Sequence, residues 1–393
     1  MKTLIELYDK RPLENVLSTE VFRPERTVFI CPRSIASDTE VQKSMRKFFA
    51  HRGIRSELEF VEGSFINADT VARCIEQTVS KYPDCAIDIA GGSEASLFAA
   101  GTVCAGRNIP VFTYSRRRNT FFNISNAPFA DGLKCDVSYG IEDSFLMAGG
   151  HMRSGRVDNG ILEKYDSLIY PFFDVFIKNR RGWKRAITFI QRISQTKQGE
   201  AVPLRVKGGY VMKGERGSRI EADEKILRAL RDCGMIRDLR LVRGESVEFT
   251  FADHQIRTWL RDVGSVLELY VYKLCMDSGV FDDVKTSVIV DWDDDKPSER
   301  VSNELDVMAS RGVVPVFISC MTCEVSTEAL NELAILRDRF GSGIARSAIV
   351  TTEKCRSITR HRASELGIEV IDYEDISRKS AMEHIRNLGK DPI

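Results

Sequence analysis

The chain has 393 residues, 43% hydrophobic and 29% charged, enough for two or three domains with cores of their own and ordinary for a water-soluble globular protein. Lys plus Arg equals Asp plus Glu at 57 each, so no overall field draws a polyanion and any nucleic-acid surface has to be a local patch. Charged residues break every apolar run before it reaches the length of a membrane span, and Met1-Lys2-Thr3-Leu4-Ile5-Glu6 lacks a signal-peptide core; this sets a membrane protein aside and implies a cytoplasmic location.

The N-terminal third alternates strand and helix. Segments 27–31, 57–61, 85–90 and 109–114 are short, apolar and rich in Val, Ile and Phe, and read as strands. Between them Val41, Met45, Phe48 and Phe49 repeat at helical spacing, as do Val71, Ile75, Val79 and Tyr82, and the Ala-rich 94–107 is helix-like. This order predicts a parallel, right-handed, doubly wound sheet of Rossmann type, with 120–124 and 135–139 as a hairpin or edge strands. Ligands of such sheets bind beyond the carboxyl ends of the strands. Two loops stand out there: Cys31 to Asp38, polar and small, and Asp88-Ile89-Ala90-Gly91-Gly92-Ser93-Glu94. Two glycines that admit close backbone approach, followed by free amides at a helix N-terminus, can hold a nucleotide or phosphate; the same pattern also makes a plain tight turn. The G-x-G-x-x-G fingerprint is absent, which disfavours a Rossmann oxidoreductase.

The middle of the chain differs. Within 140–200, Tyr170, Phe172, Phe173, Phe176 and Trp183 are interleaved with Arg180, Arg181, Lys184 and Arg185. The stretch reads either as a helical linker that buries its aromatics or as a strip that faces nucleic acid. A helix over 223–233 and a hairpin of 238–242 with 247–251 suggest a small winged-helix-like module, a shape that serves dimerisation as readily as DNA binding. The last third is a second α/β unit: a long helix over 254–276 with Glu268 beside its apolar stripe, strands at 284–292, 304–308 and 313–319, a helix at 327–340, a strand at 347–351, a helix at 356–366 and a strand at 368–371. That is the element order of the restriction-endonuclease-like PD-(D/E)xK core. Domain limits of 1–150, 151–252 and 253–393 follow.

Asn303-Glu304-Leu305-Asp306-Val307-Met308 places two carboxylates at alternate strand positions, on one side of the strand, where they converge on a divalent ion or stand as solvated surface acids. Asp is disfavoured in strands, so its presence there asks for a reason. Ten cysteines are scattered, and the Cys320-x-x-Cys323 pair has no second pair or His at zinc-finger spacing; reduced core thiols are expected.

The Asp88 to Glu94 loop in an N-terminal Rossmann-like domain, in register with Asn303 to Val307 and Phe317-Ile318-Ser319-Cys320 near the C-terminus, resembles the CARF-domain nucleases of type III CRISPR defence over nearly the whole chain. The resemblance implies a CARF domain, a winged-helix-like module and a PD-(D/E)xK nuclease domain. It also implies a homodimer that binds a cyclic oligoadenylate, usually cyclic tetra-adenylate, and then cleaves DNA or RNA with Mn²⁺ or Mg²⁺. By position, Ser34, Gly91, Gly92, Ser93 and Glu94 would line the ligand, while Glu268, Glu304 and Asp306 would surround the metal, with Glu304 and Asp306 catalytic. One departure matters. The family usually reads Ile-Ser-Cys-Lys, its Lys orienting or helping to deprotonate the attacking water, and Met321 stands here instead. A thioether offers no proton and no positive charge. The expectations are therefore a ligand-gated nuclease, which can borrow a cation such as Lys296, or a ligand sensor whose nuclease domain is weakened or inactive.

Overall fold

The computed structural model describes residues 1–64, 66–153, 162–196, 202–214, 217–292 and 302–390. Its N-terminal sheet is built from β1 (Thr3–Leu7), β2 (Arg26–Cys31), β3 (Glu57–Glu62), β4 (Cys85–Asp88), β5 (Val111–Ser115) and β6 (Thr120–Ser125). The order is β3-β2-β1-β4-β5-β6, parallel from β3 to β5 with β6 antiparallel. The sequence reading missed β1, which is the central strand and buried along its whole length. The chain lays β2 and β3 on one side of β1 and then β4 and β5 on the other, so the winding reverses between β1 and β4; crevices for ligands open at such a switch point. Helices Thr39–His51 and Ala68–Lys81 start where Asp38 and Asn67 accept backbone amides of the first turn. Segment 135–139 forms no strand; next to it Thr120 and Lys134 make an isolated bridge.

A short strand, β7 (His151–Arg153), pairs antiparallel with a strand of the C-terminal sheet. Helix Ile141–Met147 just before it packs Ile141 and Phe145 into the same cluster as Val288, Leu305 and Phe317. Near the expected limit at residue 150, Ile141, Phe145 and Ala148 pack in that cluster, while Leu146 packs with the N-terminal cluster of Phe48 and Phe49.

The middle module has helices Asp166–Lys178 and Arg180–Ile193, strands β8 (Arg205–Gly209), β9 (Val211–Lys213) and β10 (Arg219–Glu221), helix Glu224–Asp232, and the hairpin β11 (Ile236–Val242) and β12 (Ser246–Phe251). Its small sheets run β11-β12-β8 and β10-β9. Phe172, Phe173, Phe176 and Trp183 are buried in its core, so these aromatics are structural and stack on no base.

The C-terminal sheet adds β13 (Asp283–Asp291), β14 (Ser302–Arg311), β15 (Val314–Met321), β16 (Arg346–Thr351) and β17 (Ile368–Ile371), in the order β17-β16-β15-β14-β13-β7. The pairings of β13, β14 and β15 are antiparallel, and those of β15, β16 and β17 parallel. Side-chain alternation covers both faces: Val307, Ala309, Val316 and Ile318 face the core shared with the middle module and helix Ser265–Ser278, while Met308 and Phe317 face helices Ile141–Met147 and Thr327–Phe340. Helix Arg378–Leu388, unread in the sequence, closes the first face through Ile385. The architecture is an α/β protein with a Rossmann-like N-terminal domain, a small middle module and a restriction-endonuclease-like C-terminal domain. Among the described residues every cysteine is free, and no helix is long and apolar enough to cross a membrane.

Candidate functional site

The long helix expected over 254–276 is two helices, His254–Trp259 and Ser265–Ser278, separated by a turn. Asp262 shapes that turn: its Oδ2 accepts the Ser265 amide and hydroxyl, both at 2.7 Å. Gly264 leaves room beside it, since a Cβ there would stand 3.2 Å from Glu268 Oε1 and 3.6 Å from Asp262 Oδ2. Glu268, in the first turn of the second helix, therefore points toward the mouth of the turn.

Across from it the sheet opens. The β13–β14 register runs Thr286↔Val307 and then Val288↔Leu305, skipping Ser287 and Asp306, and the β14–β15 ladder begins only at Val307↔Ile318. Asp306 replaces the missing ladder bonds with its side chain: Oδ2 accepts the Cys320 amide at 2.6 Å and the Ser319 hydroxyl at 3.2 Å. Its carbonyl accepts the Thr286 hydroxyl at 2.8 Å. Ser287 is buried at φ 51°, a left-handed conformation that a residue with a Cβ adopts at a cost, and it aims its hydroxyl at Glu268 Oε2, 3.4 Å away.

Electrostatics tie the three acids together. Burial pushes the Glu268 carboxyl up to about 8, and Asp306, Asp262 and Glu304 push in the same direction against the Ser287 hydroxyl. Burial also raises Asp306; the Cys320 amide and Ser319 hydroxyl offset this in part, and Glu304 and Glu332 add to it. Glu304 is exposed at the strand edge. The structure thus brings Glu268, Glu304 and Asp306 into one field. Among the described residues no three metal-capable side chains close on a single point, and the Asp306 carboxylate is engaged by the Cys320 amide. The donor set nevertheless fits a hard divalent cation: its groups are carboxylate oxygens, and the crowding that raises Glu268 is what such an ion relieves. Met321 packs with the apolar cluster around Phe317 and Leu330. Lys296 lies outside the described residues. Ser287 and the Cys320 amide were not foreseen, since nothing in residue type announces a skipped register.

The five expected ligand residues lie beyond the carboxyl ends of β2 and β4, which flank β1. Ser34 is exposed in the short helix Arg33–Ala36 that follows β2. Gly91 and Gly92 follow β4. A Cβ on Gly91 would stand 2.9 Å from the Leu7 carbonyl, and one on Gly92, at φ 100°, 2.6 Å from Ser96 Oγ, so the turn is built for glycine. Ser93 caps helix Glu94–Cys104 by accepting the Ser96 amide, and Glu94 is exposed in its first turn. Asp9, absent from the sequence reading, accepts the Gly92 amide at 3.2 Å. Beneath the loop, Glu6 and Asp88 are register partners on β1 and β4, both buried. Burial pushes Asp88 up to about 6 and Glu6 well above its usual value, Asp88 adding to the latter.

Residues 255–389, which hold Glu268, Glu304 and Asp306, match the family model described as Card1-like, endonuclease domain. No curated protein sequence matches the chain. Among solved structures the chain is similar to protein VC1899 from Vibrio cholerae, with a TM-score of 0.76 and 16% identity over 99% of each chain. It is also similar to Can2 from Sulfobacillus thermosulfidooxidans in complex with cyclic tetra-adenylate, with a TM-score of 0.69 and 15% identity over 98% of this chain and 97% of that one. The chain thus shares its fold with these two structures along its whole length, and residues 255–389 match the Card1-like endonuclease model.

Proposed function

We propose that this protein is a cyclic-oligoadenylate-activated, metal-dependent nuclease that cleaves DNA or RNA in type III CRISPR antiviral defence. The observation that carries the reading is the three-acid field of Glu268, Glu304 and Asp306 inside a Card1-like endonuclease domain. The solved Can2 structure holds cyclic tetra-adenylate, and the same fold in this chain supports that activator, with Ser34, Gly91, Gly92, Ser93 and Glu94 as its contacts. In this division helix Ile141–Met147 joins the two domains, with Ile141 and Phe145 on the C-terminal side and Leu146 on the N-terminal side.

A homodimer fits the helix that follows the glycine turn. Glu94–Cys104 is apolar nearly all round and leaves Phe98 70% and Leu97 37% exposed, a face that a second copy would bury. Two copies of one surface about a two-fold axis also match a ring ligand with rotational symmetry.

Glu268, Glu304 and Asp306 would hold Mn²⁺ or Mg²⁺, an ion that, when bound, supplies positive charge to the scissile phosphate and makes water a better nucleophile. The chain does the rest. Cys320 and Ser319 fix the orientation of Asp306, and Ser287 that of Glu268. Met321 moves no proton and carries no charge at the position where the family places Lys; loss of a positioned acid–base group costs about 10²–10⁴ in rate.

Met321 supports a second reading, a sensor whose nuclease domain binds nucleic acid and cuts it slowly or not at all. The charges acting most strongly on Glu268 are all carboxylates. Incubation of purified protein with cyclic tetra-adenylate, Mn²⁺ and labelled single-stranded and supercoiled DNA or RNA separates the two. Cleavage that needs both activator and metal supports the first reading; activator-dependent binding without cleavage supports the second.

A further inference from the structure

Helix Arg180–Ile193 turns Trp183, Ile187 and Ile190 inward and carries Arg180, Arg181, Lys184, Arg185 and Arg192, with no Asp or Glu along its length. In a chain of zero net charge such a helix concentrates positive field on one face. The face borders an open groove of about 640 Å³ lined by Arg185, Gln191, Arg192, Ser218 and Arg261, among others.

The groove is fastened to the turn that carries the acidic centre. Gln191 Nε2 donates to the Arg261 carbonyl at 2.6 Å, and Trp183 Nε1 donates to the Val263 carbonyl at 3.3 Å. Asp262 and Gly264, which abut Glu268, belong to that same turn. The turn that abuts Glu268 thus also contributes to the groove wall, through Arg261.

Next to the groove lining, two arginines stand close together with no counter-charge among the described residues. Arg257 is buried, donates Nη2 to the Ser194 carbonyl at 2.7 Å, and has an Nε with no partner; the Nε of Arg261, one helical turn on, is likewise buried without one. Among the described residues Arg185, Arg257 and Arg261 pair with no carboxylate. Like charges set side by side without a counter-ion suit a ligand that brings negative charge at regular intervals.

We propose that this groove binds the sugar–phosphate backbone of the nucleic-acid substrate and leads it to the acidic centre. The inference rests on the nuclease reading and extends it to residues outside the Card1-like match, since helix Arg180–Ile193 precedes residue 255. Contacts to phosphate position a strand without reading its bases.

The test is fluorescence anisotropy of labelled single-stranded and duplex oligonucleotides, in EDTA so that nothing is cut, with cyclic tetra-adenylate present and salt varied. R185A/R261A is expected to weaken binding about tenfold or more and to flatten the dependence of log affinity on log salt by about 0.7–0.9 per lost phosphate contact. The charge-keeping R185K/R261K, which guards against a folding defect, is expected to restore most of the affinity. Cyclic tetra-adenylate affinity should be unchanged in both variants; a parallel loss there would mean that the groove holds the activator and would overturn the assignment. Wild-type affinity and salt slope in R185A/R261A, with cleavage by the wild-type protein intact, would refute the groove and leave the nuclease reading standing. Failure of the wild-type protein to bind any oligonucleotide would refute both.

Discussion

Asp9 and Arg11 form a two-pronged ion pair, with Arg11 Nε 2.9 Å and Nη2 3.0 Å from the two carboxylate oxygens. The same Asp9 carboxylate accepts the Gly92 amide. Arg11 in turn lies against Gly343, where a Cβ would stand 3.3 Å from Arg11 Cδ, and Gly343 sits between helix Thr327–Phe340 and β16 of the endonuclease domain. One ion pair therefore spans the path from the glycine turn to the domain that carries the acids.

Removing the pair should separate binding from activation. Arg11→Ala is expected to hold cyclic tetra-adenylate affinity within about threefold by calorimetry while lowering activator-stimulated cleavage about tenfold, within the usual range of coupling between sites. Equal stimulation in variant and parent would show that the signal passes elsewhere.

Met321→Lys puts an ammonium group at the end of β15, the strand whose Cys320 amide holds Asp306, in place of a thioether packed with Phe317 and Leu330, and adds positive charge for the scissile phosphate. Activator-stimulated cleavage should rise about tenfold or more, the lower part of what a positioned acid–base group contributes. An unchanged rate, followed by a large loss in Lys296→Ala, would show that another cation already serves. Indifference to both changes would favour the sensor reading.

The buried acids beneath the glycine turn make stability depend on pH. Both Glu6 and Asp88 have raised folded values. The stability each contributes is complete below its unfolded value near pH 4, and is lost as pH climbs through its raised folded value, about 6 for Asp88. Glu6→Gln removes one of these titrations. The variant should melt with the parent near pH 4.5 and above it by about 2 °C or more at pH 8, a gain on the order of 1 kcal/mol. A gap that shrinks as pH rises would contradict this account.

Gly92→Ala should lower the melting temperature, because φ 100° and a Cβ 2.6 Å from Ser96 Oγ force the loop to move, a change worth about 1–3 kcal/mol. Gly92 is thus a poor probe of ligand contact, although its sequence suggests a simple one. Ser34→Ala leaves the backbone alone and is the cleaner substitution; calorimetry with cyclic tetra-adenylate should show weaker binding for it at an unchanged melting temperature.

What the sequence disclosed follows from side-chain periodicity. The strands at 27–31 and 368–371 and the helix at 327–340 have uninterrupted patterns, and the structure has strands at Arg26–Cys31 and Ile368–Ile371 and a helix at Thr327–Phe340. The central strand β1 escaped because Glu6 interrupts its apolar run, and burying a carboxyl there is a feature of tertiary structure. The break at 260–264 escaped because Ile256, Leu260, Val263 and Leu267 keep helical spacing through it, while the Asp262 carboxylate holds Ser265 at the start of the second helix. The acids were legible as residue types at alternate strand positions. Their orientation was not, since it depends on a left-handed Ser287 and on a Cys320 amide left free where the β14–β15 ladder stops short.

The central claim is that the acids around β14 make this protein an activator-gated, metal-dependent nuclease. Asp306→Asn keeps the shape of the side chain and an oxygen that can accept the Cys320 amide, and it removes the negative charge. Cleavage of supercoiled DNA and single-stranded DNA or RNA should be measured with cyclic tetra-adenylate and Mn²⁺ for parent and variant side by side, with melting curves to match. The account predicts cleavage by the parent only when both activator and metal are present, and none by a variant that melts as the parent does. Cleavage by Asp306→Asn at the parental rate would contradict it.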